Sequence, residues 1–335
     1  MTIQSFASIA MRPHRSVGRT AAVAVLFATT IACAADFPVK PIRIITPFPP
    51  GGSVDLVARL LAADLTRTWG QQVVVDSHAG ASGNIGTELA KRAAADGYAL
   101  LLNTLPFITN QFVYTTMPYD PLVDFVPITV GAPVTAVLVV HPSLPVRTAA
   151  ELIALAKSKP PGAINYASSG PATNPHIASE LVNYIGKISL AAIQYKGGGP
   201  AMAATISGET QVFVAPSITY AMPQVEARRL RALGVSSLQR SPMVPHLPTL
   251  SESGLPGYEF VTWHVFAAPM GTPRVIINQL NEAVRAAVAT PEGAQRWRER
   301  GIEVFTRTSD ESLAYLKVEV GKWRVIFKER GIKAE

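Results

Sequence analysis

Short apolar runs alternate with helix-length amphipathic segments along nearly the whole chain, and this alternation limits the fold more than any single motif. IRIIT (Ile42–Thr46) reads as a strand and Ser53–Trp69 as a helix, with Leu56, Leu60, Leu61 and Leu65 on one face. Residues 72–75 are rich in β-formers, 84–95 are helical in pattern, and 98–103 form another apolar run. A β-α-β-α-β order predicts α/β architecture, with a mostly parallel sheet covered on both faces. A second series starts near Ala136, with strands at AVLVV, INYAS, AAIQYKG, QVFVA and LRALGV and helices over 148–158, in HIASELVNYIG and over 200–207. EFVTWHVFAAP then reads as a strand that returns to the first lobe, followed by helices over 273–289 and 309–328. In the last of these, Leu313, Leu316, Val320 and Trp323 form the expected core face. The expected organisation is a discontinuous lobe 1 (36–137 and 262–335), an inserted lobe 2 (138–261) and two crossings. Two such lobes enclose a cleft at the carboxyl ends of their strands, and the cleft can close.

The first 35 residues are set apart from this pattern. Arg12, Arg15 and Arg19 precede the apolar run AAVAVLFATTIACAA, which ends in small residues around Ala32-Cys33-Ala34. A basic head, a short apolar middle and a small-residue end describe a secretory signal peptide, here 1–35. Anchoring as a lipoprotein through Cys33 is the less favoured alternative, because Thr-Ile-Ala before it lacks the usual leucine. Cys33 is the only cysteine, so cleavage removes disulfide and thiol chemistry. Of the chain's 30 Lys and Arg, the signal takes three, leaving 27 against 23 acids, a net charge of +4. These charges are scattered, with no Lys/Arg block, which argues against nucleic acid as a partner.

Four turns follow strands and are built from small or amide-bearing residues: PFPPGGSVD (47–55), HAGASGNIG (78–86), ASSGPATNPH (167–176) and YKGGGPA (195–201). Two fall in each expected lobe. Proline stiffens such turns and glycine opens them, leaving backbone amides bare at helix starts, where an anion is favoured. Taken singly, each turn also fits a bland reading as punctuation, with Ser53 and Asn84 as helix caps, Asp55 steadying a first turn, His176 as a core or cap residue and Lys196 in solvent. Phe48 and Tyr195 fit either core packing or the wall of a ligand site. Four such turns at strand ends together point to a ligand cleft.

No motif demands catalysis. GASGN approaches the G-x-S-x-G nucleophile elbow at Ser82 but lacks the final glycine, and GASGNIG fails G-x-G-x-x-G at the same position. The histidines after the signal, at 78, 141, 176, 246 and 264, have no metal-ligand spacing. The expectation is a binding protein with no catalytic residue, no metal and no cofactor. A secreted α/β hydrolase using Ser82 is the enzymatic alternative.

The chain also resembles a known family. FPVKPIRIITPFPPGGSVDLVARLLAADLTRTWGQQVVVD, GASGNIG, ADGYALLL, YDPLVDFVPI, ELIALAKSKPPGAINYASSG, HIASELV, QYKGGGPA, LRALGV, PTLSESGLPGYE and ERGIKAE follow in order. Together they look like a tripartite tricarboxylate transporter substrate-binding receptor, the Bug-type periplasmic proteins. The resemblance implies a type II periplasmic binding fold, a small organic carboxylate as ligand, a periplasmic location, and one large and one small integral-membrane transporter subunit as partners. A ligand-presenting sensory module for a sensor kinase would share the same cleft. A monomer is expected. By the same resemblance the ligand contacts are Phe48, Gly52, Ser53, Ala81, Ser82, Gly83 and Asn84 from lobe 1. Lobe 2 supplies Ser169, Gly170, Thr173, Asn174 and Lys196. Two positions depart from the family's pattern: His78 stands where an arginine is frequent, and Ser82 where a glycine is. The scarcity of charge in the four turns argues against a tricarboxylate, and Phe48 and Tyr195 lean toward an aromatic, mono- or dicarboxylic ligand.

Overall fold

The computed structural model describes residues 37–304 and 306–330; the expected signal peptide, with Cys33, lies outside them. Strands β1 (Ile42–Thr46), β2 (Val73–Ser77), β3 (Ala99–Thr104), β4 (Phe125–Thr135) and β10 (Val261–Pro269) form one five-stranded sheet in the order β2-β1-β3-β10-β4. Strands β5 (Val137–Val140), β6 (Asn165–Ser168), β7 (Ala191–Gln194), β8 (Val212–Ala215) and β9 (Arg231–Val235) form the other, in the order β7-β6-β8-β5-β9. Each sheet is the centre of one α/β lobe.

The expectation of mostly parallel sheets needs correction. β1 runs parallel to β2 and β3, and β6 to β7 and β8, but β10 is antiparallel to β3 and β4, and β5 to β8 and β9. The physical reason lies in the connections. Parallel neighbours need a crossover helix. Here β4 passes into β5 through Ala136 alone, one extended run that serves both sheets.

Helix α1 (Ser53–Trp69) begins where the Pro-Gly turn ends and stops at Gly70, whose left-handed backbone (φ 66°) lets its N–H reach Thr66 O. Its buried stripe is Val54, Val57, Ala58, Leu61 and Leu65, so Leu56 and Leu60 sit half-buried at the edge of the face expected for them. Helix α2 (Asn84–Lys91) covers the same sheet. In the other lobe α3 (Ala149–Lys157), α4 (Asn174–Gly186), α5 (Gly198–Ser207) and α6 (Ile218–Glu226) alternate with the strands. After β10 come α7 (Arg274–Ala289), α8 (Pro291–Arg298) and α9 (Ser309–Arg330). Leu316, Val320 and Trp323 of α9 are buried as expected, with Leu313 half-buried beside them.

One residue ties the two crossings together. Ser236, fully buried, exchanges backbone hydrogen bonds with Ala136 and Phe260: its N–H donates to Ala136 O and its carbonyl accepts from Phe260 N, both at 2.9 Å. Its hydroxyl accepts from Ala136 N at 2.8 Å and donates to Phe260 O at 2.6 Å. The serine thus pins the outgoing and returning segments side by side where the chain passes between sheets.

Candidate ligand cleft between the lobes

The four turns read from the sequence lie at the carboxyl ends of β1, β2, β6 and β7, and residues from all four line one cavity of about 570 Å³. Phe48, Gly52, Ser53, Ala81, Ser82 and Gly83 line it from one lobe. Ser169, Gly170, Thr173, Asn174 and Lys196 line it from the other. Asn84 is not among the lining residues. It is buried as the first residue of α2, and its Oδ1 accepts from Asn110 Nδ2 at 2.7 Å. The same amide donates to Ser82 O at 3.0 Å, so Asn84 holds the Ser82 turn through Asn110.

Each turn delivers a helix start. Helices α1, α2, α4 and α5 begin at Gly52, Gly83, Thr173 and Gly197 without any side-chain cap. Elsewhere α3, α6 and α8 are capped by Thr148, Ser217 and Thr290, whose oxygens accept from Glu151 N, Tyr220 N and Gly293 N. An uncapped first turn keeps its N–H groups and its share of the helix dipole available to an anion. Asp55, the acid nearest these turns, is turned to architecture: its carboxylate accepts from Gly51 N and pairs with Arg59, with N–O distances of 3.0 Å.

The charge of the lining is spare. Among the described residues, Lys196 is its only Lys or Arg, and no Asp or Glu lines it. Tyr114 and Tyr195 bring phenols; burial, with the bond to Glu209, pushes the Tyr195 phenol up to about 12. Prolines form much of the rest, including Pro47, Pro49 and Pro106 on one side and Pro171, Pro175 and Pro200 on the other. They make rigid apolar walls that offer no N–H of their own. Donors and apolar surface, without acids, fit an organic anion.

The lobes touch across the cleft. Ser82 Oγ donates to Pro171 O at 2.5 Å and accepts from Tyr114 OH at 3.1 Å. These partners are a carbonyl and a phenol, not the histidine of a Ser–His pair. Beside this bridge Gly197 (φ 117°) approaches Pro49 so closely that a Cβ would lie 3.2 Å from its ring. Ala81, Ser82 and Ala172 all hold left-handed backbone, with φ of 45°, 52° and 55°. That conformation costs a non-glycine residue about 1–2 kcal/mol, and strain of this kind collects at ligand clamps.

Sequence reasoning missed Tyr114, Thr104 and Pro106, which enter the lining from β3 and the segment after it. Within LLNTLPFITNQFVY nothing sets these three residues apart from their polar, aromatic and apolar neighbours. His78 is outside the cavity lining, its Nε2 lying 2.8 Å from Asp76 Oδ1. His176 caps its own turn, accepting from Ala172 N at 3.0 Å.

Gly86 locks the two turns of lobe 1 together. A Cβ there would lie 2.7 Å from His78 O and 2.8 Å from Pro47 Cα. Alanine gains about 1 kcal/mol of helix propensity over glycine, but such overpacking costs about 1–3 kcal/mol. Gly86→Ala should therefore destabilise by about 1 kcal/mol net. Gly321, in α9 with no atom within 4 Å of a built Cβ, is the control. Gly321→Ala should stabilise by about 0.5–1 kcal/mol. Urea unfolding of both variants reads the difference, and equal shifts would contradict the close approach at Gly86.

Comparison with known proteins agrees with this geometry. The family model described as "Tripartite tricarboxylate transporter family receptor" matches residues 57–332. Protein BugT of Bordetella pertussis is 33% identical over 322 residues, covering 94% of this chain and 98% of its own. The solved structure of R. palustris Rpa4515 with adipate is 34% identical, with a TM-score of 0.85 over 88% of this chain and 99% of its own. MatC (Rpa3494) from Rhodopseudomonas palustris with bound malate is 27% identical, with a TM-score of 0.80 over 87% of this chain and 99% of its own. Matched by the family model from within α1 to the end of α9, this chain belongs to the tripartite tricarboxylate transporter receptors of the Bug type, solute-binding proteins and not enzymes.

Proposed function

We propose that this chain is a periplasmic receptor that captures a small organic carboxylate between its lobes and delivers it to a tripartite tricarboxylate-type transporter with one large and one small membrane subunit. The observation that carries the reading is the set of four uncapped helix starts around one cavity whose only charged lining residue, among the described residues, is Lys196. The solved relatives with adipate and malate support a carboxylate as the ligand class. In this reading lobe 1 is 36–137 with 262–335, and lobe 2 is 138–261. The ligand's carboxylate sits on amides of the turns at Gly52–Ser53 and Ala81–Gly83, with Phe48 beside it. Ser169, Gly170, Thr173, Asn174 and Lys196 close over it from the other lobe, and the protein acts as a monomer.

Thermal unfolding of the secreted protein, stripped of carried-over ligand by unfolding and refolding, tests capture against a panel of organic acids. An acid present at about 100 times its dissociation constant should stabilise by about 2.7 kcal/mol. If no acid shifts the transition, or if one is turned over, the reading fails. Delivery has its own test: deleting the gene should abolish uptake of that acid. Loss of a transcriptional response with uptake intact would replace delivery with sensing.

A further inference from the structure

We infer that the Ser82 hydroxyl is a latch between the lobes: it holds the closed cleft shut by bonding to the opposite lobe, while the ligand is met by backbone amides of the same turn. The inference rests on the carboxylate-receptor reading and gives Ser82 the part of a positioning residue in it.

The polarity of the contact is fixed by its partners. Pro171 O is a carbonyl and only accepts, so the single hydrogen of the Ser82 hydroxyl is spent on it, at 2.5 Å. Tyr114 OH, at 3.1 Å, then donates to Ser82 Oγ. Toward a carboxylate this hydroxyl has no hydrogen left to give. Its one donor instead joins the turn before α2 in one lobe to the turn before α4 in the other. Across the same cleft Asn174 Nδ2 reaches Thr104 Oγ1 only at 3.4 Å, the weaker contact of the two.

Both ends of the Ser82 contact are held in place at a cost. Ser82 adopts φ 52° and ψ 34°, and Ala172, next to Pro171, adopts φ 55°. Glycine takes such conformations without strain, and other residues do not. Each turn is braced from behind. Asn110 Nδ2 donates to Ser82 O at 3.0 Å, and His176 Nδ1 accepts from Ala172 N at 3.0 Å. Gly170 O accepts from Ser168 Oγ at 2.9 Å and from Thr173 Oγ1 at 2.7 Å. Strained residues persist where their surroundings over-determine them, and they gather at clamps and switches. At position 82 the atom that glycine would lack is the one that crosses the cleft. Parting the lobes breaks this bond whatever solute lies between them, so the latch slows the release of every ligand.

Ser82→Gly and Ser82→Ala in the full secreted protein test this, with succinate, malate, adipate and benzoate as probes. Calorimetry reads affinity and stopped-flow fluorescence reads release. Each acid that binds the unmodified protein should bind either variant about fivefold more weakly, through faster release, with association changed by less than about twofold. With no acid present, amide exchange in 169–176 of the opposite lobe should quicken in both variants, which loss of a ligand contact alone would not cause. Glycine relieves the strain at φ 52°, so Ser82→Gly should unfold at a higher urea concentration than Ser82→Ala while sharing its weaker binding. Unchanged affinity in Ser82→Gly would overturn the latch and leave the carboxylate receptor standing. Weaker binding with unchanged exchange would overturn it too, by making the hydroxyl a ligand contact. If no acid binds the unmodified protein, the receptor reading itself fails and the latch falls with it.

Discussion

Replacing Asp64 with alanine should destabilise the protein by about 3–4 kcal/mol, the largest effect expected of any single substitution considered for it. Asp64 sits in α1 at 3% exposure and holds α8 against it. Its Oδ1 accepts from Arg67 Nη1 and Arg296 Nη2, each at 2.9 Å, and its Oδ2 accepts from the buried indole N–H of Trp297, also at 2.9 Å. The two arginines are 60% and 39% exposed, so water replaces their partner cheaply and each pair contributes only about 0–1 kcal/mol. The indole has no such substitute. Leaving its N–H unpaired costs about 1–3 kcal/mol, and the cavity left by the lost carboxylate adds to it. Asp64→Asn keeps an acceptor oxygen while discarding the charge, and should cost about 1–2 kcal/mol. Urea unfolding of both variants separates the contributions. An alanine variant no weaker than the asparagine one would show that the indole does not depend on this contact.

This contact was invisible in the sequence, since 232 positions separate Asp64 from Arg296. What could be read was whatever has a local cause. Helix α1 was legible to the residue because a Pro-Gly turn, an apolar stripe and Gly70 each act over a few neighbours. The four site turns were legible for the same reason. β4 was not read as a strand, because Pro127 and Gly131 interrupt it. The structure shows how it tolerates them: β4 lies at the edge of its sheet, where a missing N–H breaks no second ladder. Helix α6 was hidden in the same way by Pro223. The antiparallel half of each sheet could not be read either, since strand direction is decided by the path of the whole chain. At the cleft, glycine content pointed to the loops that line the cavity but not to the left-handed residues, three of which are Ala81, Ser82 and Ala172. Asn174 could be named from its turn. Its contact with Thr104 in the opposite lobe, 70 residues away, could not.

Acid should weaken this protein through His264, in a window that the histidine's burial defines. His264 lies in β10, paired with Thr104 of β3 on one side and Gly131 of β4 on the other. It is 2% exposed; its Nδ1 lies 3.0 Å from Ala132 O, and its Nε2 is buried without a partner. Burial pushes its pKa down to about 4 from 6.5, with the Ala132 carbonyl opposing the shift. The unfolded chain therefore binds a proton at pH 6.5 that the folded chain refuses until pH 4. Unfolding takes up protons in that interval, so stability falls as the pH falls. The contribution is fully present above pH 6.5, and by pH 4 the loss reaches about 3 kcal/mol. His264→Gln removes the titration, although the substitution carries its own fixed cost. The stability difference between the two chains should consequently shrink, or change sign, as the pH drops from 7 to 4. Urea unfolding at intervals across that range measures it. Parallel profiles would mean that the histidine takes up its proton equally in both states. β4 and β10 are the strands that adjoin the two crossings pinned by Ser236, so the charged ring would stand beside the link between the two sheets.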